Sequence, residues 1–496
     1  MGQRPIVTWW DQLEDYWDLL VPLLATLVTA LGPFLSVVTI AWILSIKKNS
    51  ASALAWCLLV LLLPVMGPLI FLLFGYQHVA FPLTRKRRHH RQFHVRHPPR
   101  IDEVGTDGEP EQERCSGPLR TLAQRLGGSP LTWGNHVQFF TEGRSAYDAK
   151  LAAIAAARHH VHLEYFIFQP DRAGQEFIDL LIQKAREGVE VRFLYDAIGS
   201  HRLWRRAVMP LQAAGAQCSV FLSLNPLRRR IQINLRNHRK ILLVDGQVAF
   251  TGGLNIGDEY LGRNPKFGPW RDTHLRLEGP AVAALQRVFI EDWDFAAGED
   301  LHGSIYFPPP RSDGVCGVQV LESGPDRELK GIREIYFAAI LQARHRLWIA
   351  SPYFVPDDGL LDALRLACYR GIDVRFLGQF HPDKWIPFFA GRYYWGDVLA
   401  AGGRIYQYTA GMMHSKLVLV DGQWSSVGSA NFDNRSMYLN FEVNCLIHSE
   451  AATAELEAAY RRDLQSAIRL ERHAFEMRPF AGRLIENACR LMSPIL

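Results

Sequence analysis

Two stretches decide how the chain reads: Asn237-His238-Arg239-Lys240-Ile241-Leu242-Leu243-Val244-Asp245-Gly246 and Met413-His414-Ser415-Lys416-Leu417-Val418-Leu419-Val420-Asp421-Gly422. Both follow the pattern His-x-Lys-x4-Asp, at a constant offset of 176 positions. One chance copy would occur in roughly 6% of chains this long, so two in register are not an accident. Side chains two apart on a strand project to one face, which puts His238 beside Lys240 and His414 beside Lys416. The apolar run after each Lys reads as a buried strand. Asp-Gly at its end reads as a hairpin turn, with Asp245 and Asp421 anchoring it. The returning strands reach Gly252-Gly253-Leu254-Asn255 and Gly428-Ser429-Ala430-Asn431. Small residues there let backbone N–H groups approach an anion, and each Asn adds an amide.

The repetition extends outward. Ala157-Arg158-His159 leads into the strand-like 162–168, and Ala343-Arg344-His345 into 348–354. Each is followed by a helical stretch and then by Gly-Val-Glu-Val-Arg-Phe-Leu (188–194) or Gly-Ile-Asp-Val-Arg-Phe-Leu (371–377). Strand, helix, strand is an α/β unit. Two such units predict two similar α/β halves, 129–310 and 311–496, with the site between them.

The 496 residues are 48% hydrophobic and 21% charged, a globular composition that excludes a wholly disordered chain. The seven cysteines are scattered and never form Cys-x-x-Cys, which argues against a disulfide framework or a zinc ribbon. The net charge is +5, but residues 85–100 (RKRRHHRQFHVRHPPR) carry seven Lys/Arg and no acid, leaving −2 for the rest. A broadly cationic nucleic-acid binder is disfavoured by that balance.

Residues 19–46 and 49–84 contain no Asp, Glu, Lys or Arg. A bilayer crossing takes about 20 apolar residues, so the expectation for 1–84 is a two-helix transmembrane hairpin, with Gly32-Pro33, Pro64 and Gly67-Pro68 as kinks or turn. The first run is too long for a signal-peptide core. Only Lys47 and Lys48 lie between the runs, against seven cations after the second, so the positive-inside rule puts residues 85 onward in the cytoplasm. Residues 85–128 read as a basic juxtamembrane segment followed by an acidic linker (101–114). His89, His90, His94 and His97 are expected to face solvent or lipid headgroups rather than a metal. Residues 225–230 (NPLRRR) and the aromatic-rich 381–395 are candidate lipid contacts, with a solvated loop and core packing as the respective alternatives.

Two imidazoles and two ammonium groups converging on one pocket suit a phosphodiester. Lys240, Lys416, Asn255 and Asn431 would hold the non-bridging oxygens. One histidine would attack phosphorus while the other protonates the leaving alkoxide. The scheme calls for no metal and no cofactor.

These motifs resemble the phospholipase D superfamily, whose paired His-x-Lys-x4-Asp copies act together. The similarity extends to bacterial cardiolipin synthases through Ala55-Trp56, Pro64 and Leu73-Phe74-Gly75, Arg236–Lys240 with Thr251–Tyr260, Ser351–Pro356, and 414–435. The resemblance implies a phosphatidyltransferase of the bacterial inner membrane, with its catalytic halves on the cytoplasmic side. It would transfer a phosphatidyl group between two phosphatidylglycerols to give cardiolipin and glycerol. It further implies His238, Lys240, Asp245, His414, Lys416 and Asp421 as the catalytic set, His238 as nucleophile, His414 as general acid, and Asp272 and Glu442 as carboxylates orienting the imidazoles. Each carboxylate is expected to serve the histidine some thirty residues before it. A hydrolase or a nuclease of the same superfamily is the alternative activity, and the oligomeric state stays open.

Overall fold

The computed structural model describes residues 31–47, 50–75, 80–97, 117–222, 234–311 and 313–496, with Pro22 and Thr26. Most of 19–30, the acidic stretch 101–114 and the arginine-rich 225–230 lie outside these residues. The chain divides into two units, Met1–Pro82 and Leu83–Leu496.

In the first unit a helix over 31–46 packs on Ser50–Leu62. Ile43, Ala53, Val60 and Phe71 close around each other, and the Ser36 hydroxyl donates to the Val60 carbonyl at 3.2 Å. The second apolar run is not one continuous helix. It stops at Leu62, turns at 63–65 around Pro64 and resumes as Met66–Ile70, because a proline ring excludes the preceding residue from helical geometry. Phe34, Val37, Leu44, Leu61 and Leu62 point outward. Among the described residues no helix is long and apolar enough to cross a membrane.

The second unit holds two sheets of like topology. Its strands are β1 (Thr132–Glu142), β2 (His160–Tyr165), β3 (Glu190–Asp196), β4 (Gln217–Phe221), β5 (Arg236–Asn237), β6 (Lys240–Val244), β7 (Val248–Gly252), β8 (Trp270–Glu278), β9 (Cys316–Ser323), β10 (Arg346–Ala350), β11 (Phe354–Val355), β12 (Asp373–Gln379), β13 (Arg404–Tyr408), β14 (Met412–Met413), β15 (Leu417–Val420), β16 (Trp424–Gly428), β17 (Phe432–Asp433), β18 (Asn440–His448) and β19 (Ala467–Arg469). The first sheet runs β4-β3-β2-β6-β7-β8-β1. The second runs β19-β13-β12-β10-β15-β16-β18-β9. In each, two parallel strands flank a crossover helix, Arg172–Arg186 or Asp358–Tyr369, and these helices start at Asp171 and Asp357, whose carboxylates accept from Gly174 N–H and Leu360 N–H. Each sheet has its own apolar core, so the α/β duplication is physical.

Three connections tie the sheets together. β1 pairs with β8 over most of its length and with β9 at Thr132 and Asn135. β5 lies parallel to β18 in the other half, and β14 parallel to β8. Residues 117–125, which the sequence places with the linker, form a helix whose Leu119 and Ala123 enter the second core.

The basic stretch is divided: Arg85, Arg87, Arg88 and Arg91 are exposed, whereas Lys86 is buried and the histidines are partly buried. It belongs to helix Ala80–Arg96, whose charges meet carboxylates on and just beyond helix Ala281–Ala297. Lys86 bonds Asp292 at 2.6 Å, His89 meets Asp294 at 2.9 Å, His90 meets Glu291 at 3.0 Å, and His97 meets Asp300 at 2.9 Å. The expectation of solvent- or lipid-facing histidines is therefore corrected. Buried acids on a distant helix gave them better partners than water, and no local sequence pattern reports that.

Candidate active site

The short strand β5 delivers His238 into the seam between the halves. Its parallel partner β18 continues the pairing, with His238 N–H donating to the Phe441 carbonyl at 2.9 Å. The next residue of β18 is Glu442, and its carboxylate meets His238 Nδ1 at 3.0 Å. The other end repeats this: β14 pairs with β8, His414 N–H donates to the Arg271 carbonyl at 2.8 Å, and Asp272 meets His414 Nδ1 at 2.8 Å. The carboxylates are exchanged relative to the sequence expectation. Glu442 serves His238 and Asp272 serves His414, because each histidine strand inserts beside the carboxylate strand of the opposite half.

Nδ1–H donation to a carboxylate leaves each Nε2 as the reactive atom. Both carboxylates are fully buried. Burial would raise Glu442, but His238, Lys240 and the Ser429 hydroxyl (2.5 Å) hold it below the ordinary glutamate value. Burial would likewise raise Asp272, but Lys416 and His414 hold it down. Burial pushes His238 down to about 4, opposed by Glu442 and reinforced by Lys240. Burial and Lys416 lower His414 as well. Both imidazoles are thus neutral near pH 7 until negative charge enters.

Lys240 Nζ donates to the His238 carbonyl at 2.6 Å, and Lys416 Nζ lies 2.8 Å from His414 Nδ1. Burial lowers both ammonium groups, Lys416 to about 8. Phe166 flanks His238 and Trp270 flanks His414, each at a ring-centroid distance of 5.0 Å. The sequence reading missed these two aromatic walls, which no motif marks.

The remaining sequence candidates sit further out. Asp245 has a left-handed backbone (φ +53°), and its carboxylate accepts the N–H groups of Arg158, His159 and His160 at 2.8–2.9 Å. Asp421 does the same for Arg344, His345 and Arg346 at 2.8 Å. Both lash the hairpin to the start of β2 or β10. The Asn255 amide is engaged by Ile167 N–H and the Tyr260 hydroxyl. Asn431 is buried, and its N–H donates to the Ser436 hydroxyl at 3.0 Å.

Arg239, between His238 and Lys240, turns the opposite way and reaches Asp292 and Glu322. Near it, His90, His94, Glu291 and Glu322 bring one ligand atom each within 4.8 Å of one another. Their carboxylates also pair with Arg239, Arg327 and Lys86.

The family described as "Cardiolipin synthase, PLD-like domain" matches residues 151–293 and 336–464, and "Phospholipase_D-nuclease N-terminal" matches 34–75. The chain is 40% identical to a cardiolipin synthase of Geobacillus kaustophilus over 93% of its own length and 92% of that protein. The chain belongs to the cardiolipin synthase family of phospholipase D-like proteins. It is 38% identical to the major cardiolipin synthase of Bacillus subtilis, covering 91% of this chain and 95% of that one. Among solved structures, a phosphatidylserine synthase from Haemophilus influenzae shares the fold of this family member, with a TM-score of 0.59, 17% identity, and coverage of 76% of this chain and 100% of that one.

Proposed function

We propose that the protein is a membrane-bound cardiolipin synthase that moves a phosphatidyl group from one phosphatidylglycerol to another, releasing glycerol. The observation that carries this reading is the crossed pair of histidine–carboxylate couples, each with its lysine, in a chain aligned over nine-tenths of its length with cardiolipin synthases.

The donor phosphodiester would sit between the imidazoles, its non-bridging oxygens facing Lys240 and Lys416. Its negative charge favours protonation of one ring. Burial holds both rings toward the neutral form, and resemblance to superfamily members with two motifs in one chain makes His238 the nucleophile and His414 the acid. His238 Nε2 attacks phosphorus, the P–O bond to glycerol breaks, and His414 gives its proton to the departing alkoxide. A hydroxyl of the second phosphatidylglycerol then loses its proton to His414 and attacks phosphorus, breaking the P–N bond and restoring His238. Asp272 and Glu442 stabilise the imidazolium forms and fix the tautomers. Asp245 and Asp421 act on architecture rather than on phosphorus.

The N-terminal apolar helices would hold the enzyme in the bacterial inner membrane as a two-span hairpin, with the catalytic halves on the cytoplasmic side. The excess of cations after the second run favours that side. Purified enzyme in vesicles of phosphatidylglycerol alone tests the reading by mass spectrometry. Cardiolipin and glycerol in equal amounts support it. Phosphatidic acid as the sole lipid product would make the protein a hydrolase instead.

A further inference from the structure

The two ends of the active site are not equivalent, and the difference is cationic. Side chains alternate along 236–240. Asn237 donates to Glu164 at 2.5 Å and Arg239 reaches Asp292, both on the far side. Arg236 therefore shares the face of His238 and Lys240, and it is buried. From the other half, Arg435 approaches the same end. Its guanidinium donates to the Asn234 carbonyl at 2.7 Å and to the Ile495 carbonyl at 3.2 Å. Asp196 lies within electrostatic reach of both arginines, and Arg435 is also within reach of Glu442. The Asp196 carboxylate also accepts the N–H groups of Ile198, Gly199 and Asn237.

At the His414 end the duplication supplies other residues. The offset of 176 that maps His238 onto His414 maps Arg236 onto Met412, and it maps Glu259 onto Arg435. One end thus carries two arginines where the other carries a methionine and a glutamate. The two guanidinium groups are close enough for Arg435 to disfavour the charge on Arg236. An anion placed between them relieves that repulsion, and a planar guanidinium fork matches phosphate oxygens.

We propose that Arg236 and Arg435 form a second phosphodiester-binding site, which holds the phosphate of the acceptor lipid while its headgroup hydroxyl attacks. The inference rests on the cardiolipin synthase reading: a phosphatidylglycerol acceptor is itself an anion, whereas water or a simple alcohol is not. The donor phosphate is served by the duplicated His–Lys pairs. The acceptor phosphate needs its own cations, and these need occur only once.

The test is a competition in vesicles of phosphatidylglycerol containing butanol, read as the ratio of cardiolipin to phosphatidylbutanol. In Arg236→Gln the ratio should fall about 10- to 100-fold, the loss expected for charge-assisted hydrogen bonds. In Arg236→Lys, which keeps the charge but not the fork, it should fall less. An unchanged ratio in both variants overturns the inference. If Arg236→Gln yields neither product, Arg236→Lys decides by the same ratio. Inorganic phosphate at constant ionic strength tests the other source of the same chemistry. Inhibition of the wild type that disappears in Arg236→Gln, with the ratio unmoved, would assign the site to free phosphate and overturn lipid recognition. Should the wild type make phosphatidylbutanol but no cardiolipin, the functional reading itself fails.

Discussion

His238 and Glu442 stand on opposite halves of the duplication, yet their side chains meet at 3.0 Å. The cause is strand exchange: β5 adds to β18 and β14 adds to β8, so neither half holds a complete histidine–carboxylate couple. This explains why the site sits in the seam. A single half would have its imidazole without the carboxylate that holds Nδ1.

Exchange makes a kinetic prediction that the alternative pairing reverses. With His414 as acid and Asp272 as its partner, Asp272→Asn should slow release of a poor leaving group by about 10²-fold or more, within the range that positioned proton transfer contributes. A donor with an activated leaving group, such as a nitrophenyl phosphodiester, should recover most of that loss. Glu442→Gln, which weakens the nucleophile's support, should not be rescued. Rescue of Glu442→Gln and not of Asp272→Asn would reverse either the carboxylate pairing or the two histidine roles, and the trapping experiment below separates these.

Lys86 and Arg239 occupy the two oxygens of one buried carboxylate, Asp292. The helix that follows the apolar N-terminal region is thereby joined to the histidine strand. Removing one partner of such a network leaves an uncompensated charge, so Lys86→Met should destabilise the catalytic unit by about 3–5 kcal/mol. Adding Asp292→Asn should restore part of that loss despite deleting a further charge. Urea unfolding of the detergent-solubilised full chain measures both, and simple additivity of the two changes would refute the coupling.

What the sequence made legible follows from periodicity and repetition. The two α/β halves, the histidine–lysine pairs and the turn role of Asp245 and Asp421 are all local patterns that occur twice, the His-x-Lys-x4-Asp copies at an offset of 176 residues. The exchange of Asp272 and Glu442 is not local. It depends on which edge each two-residue strand finds, and Arg-Asn or Met-Met has no pattern that specifies a partner. The same holds for the basic helix. Its clustered cations read as solvated until Glu291, Asp292 and Asp294 are brought beside them from about two hundred residues away. Asn255 reads as a phosphate ligand by its place after Gly-Gly-Leu, but its amide is held by a tyrosine and a backbone N–H.

Acid should begin to destabilise this protein at about pH 6.5, where the histidines of the unfolded chain take up protons. Burial holds His238 and His160 down to about 4 and His448 to about 3. Between these values and about 6.5 the unfolded chain binds protons that the folded chain refuses, so stability is full above that pH and falls as pH drops. Each group contributes up to about 1.4 kcal/mol per pH unit. The urea midpoint should therefore fall steeply between about pH 7 and pH 5, and His160→Gln should flatten the slope. A midpoint constant over that interval would show that these rings protonate in the folded state.

The near-symmetry of the site leaves the attacking atom to be identified by trapping. His238 and His414 are equally buried, and each has its own lysine beside it. His238→Ala and His414→Ala should each abolish cardiolipin formation, because one removes the nucleophile and the other the proton donor. They should differ in what they accumulate. Given a donor with an activated leaving group, His414→Ala should still form the P–N bond but should activate the incoming hydroxyl poorly. Rapid quenching at neutral to alkaline pH, with labelled lipid and peptide mapping, should then place the phosphatidyl label on His238. His238→Ala should retain none. Label on His414 in the wild type would reverse the two roles while leaving the crossed carboxylates, and the two-step displacement, as they stand.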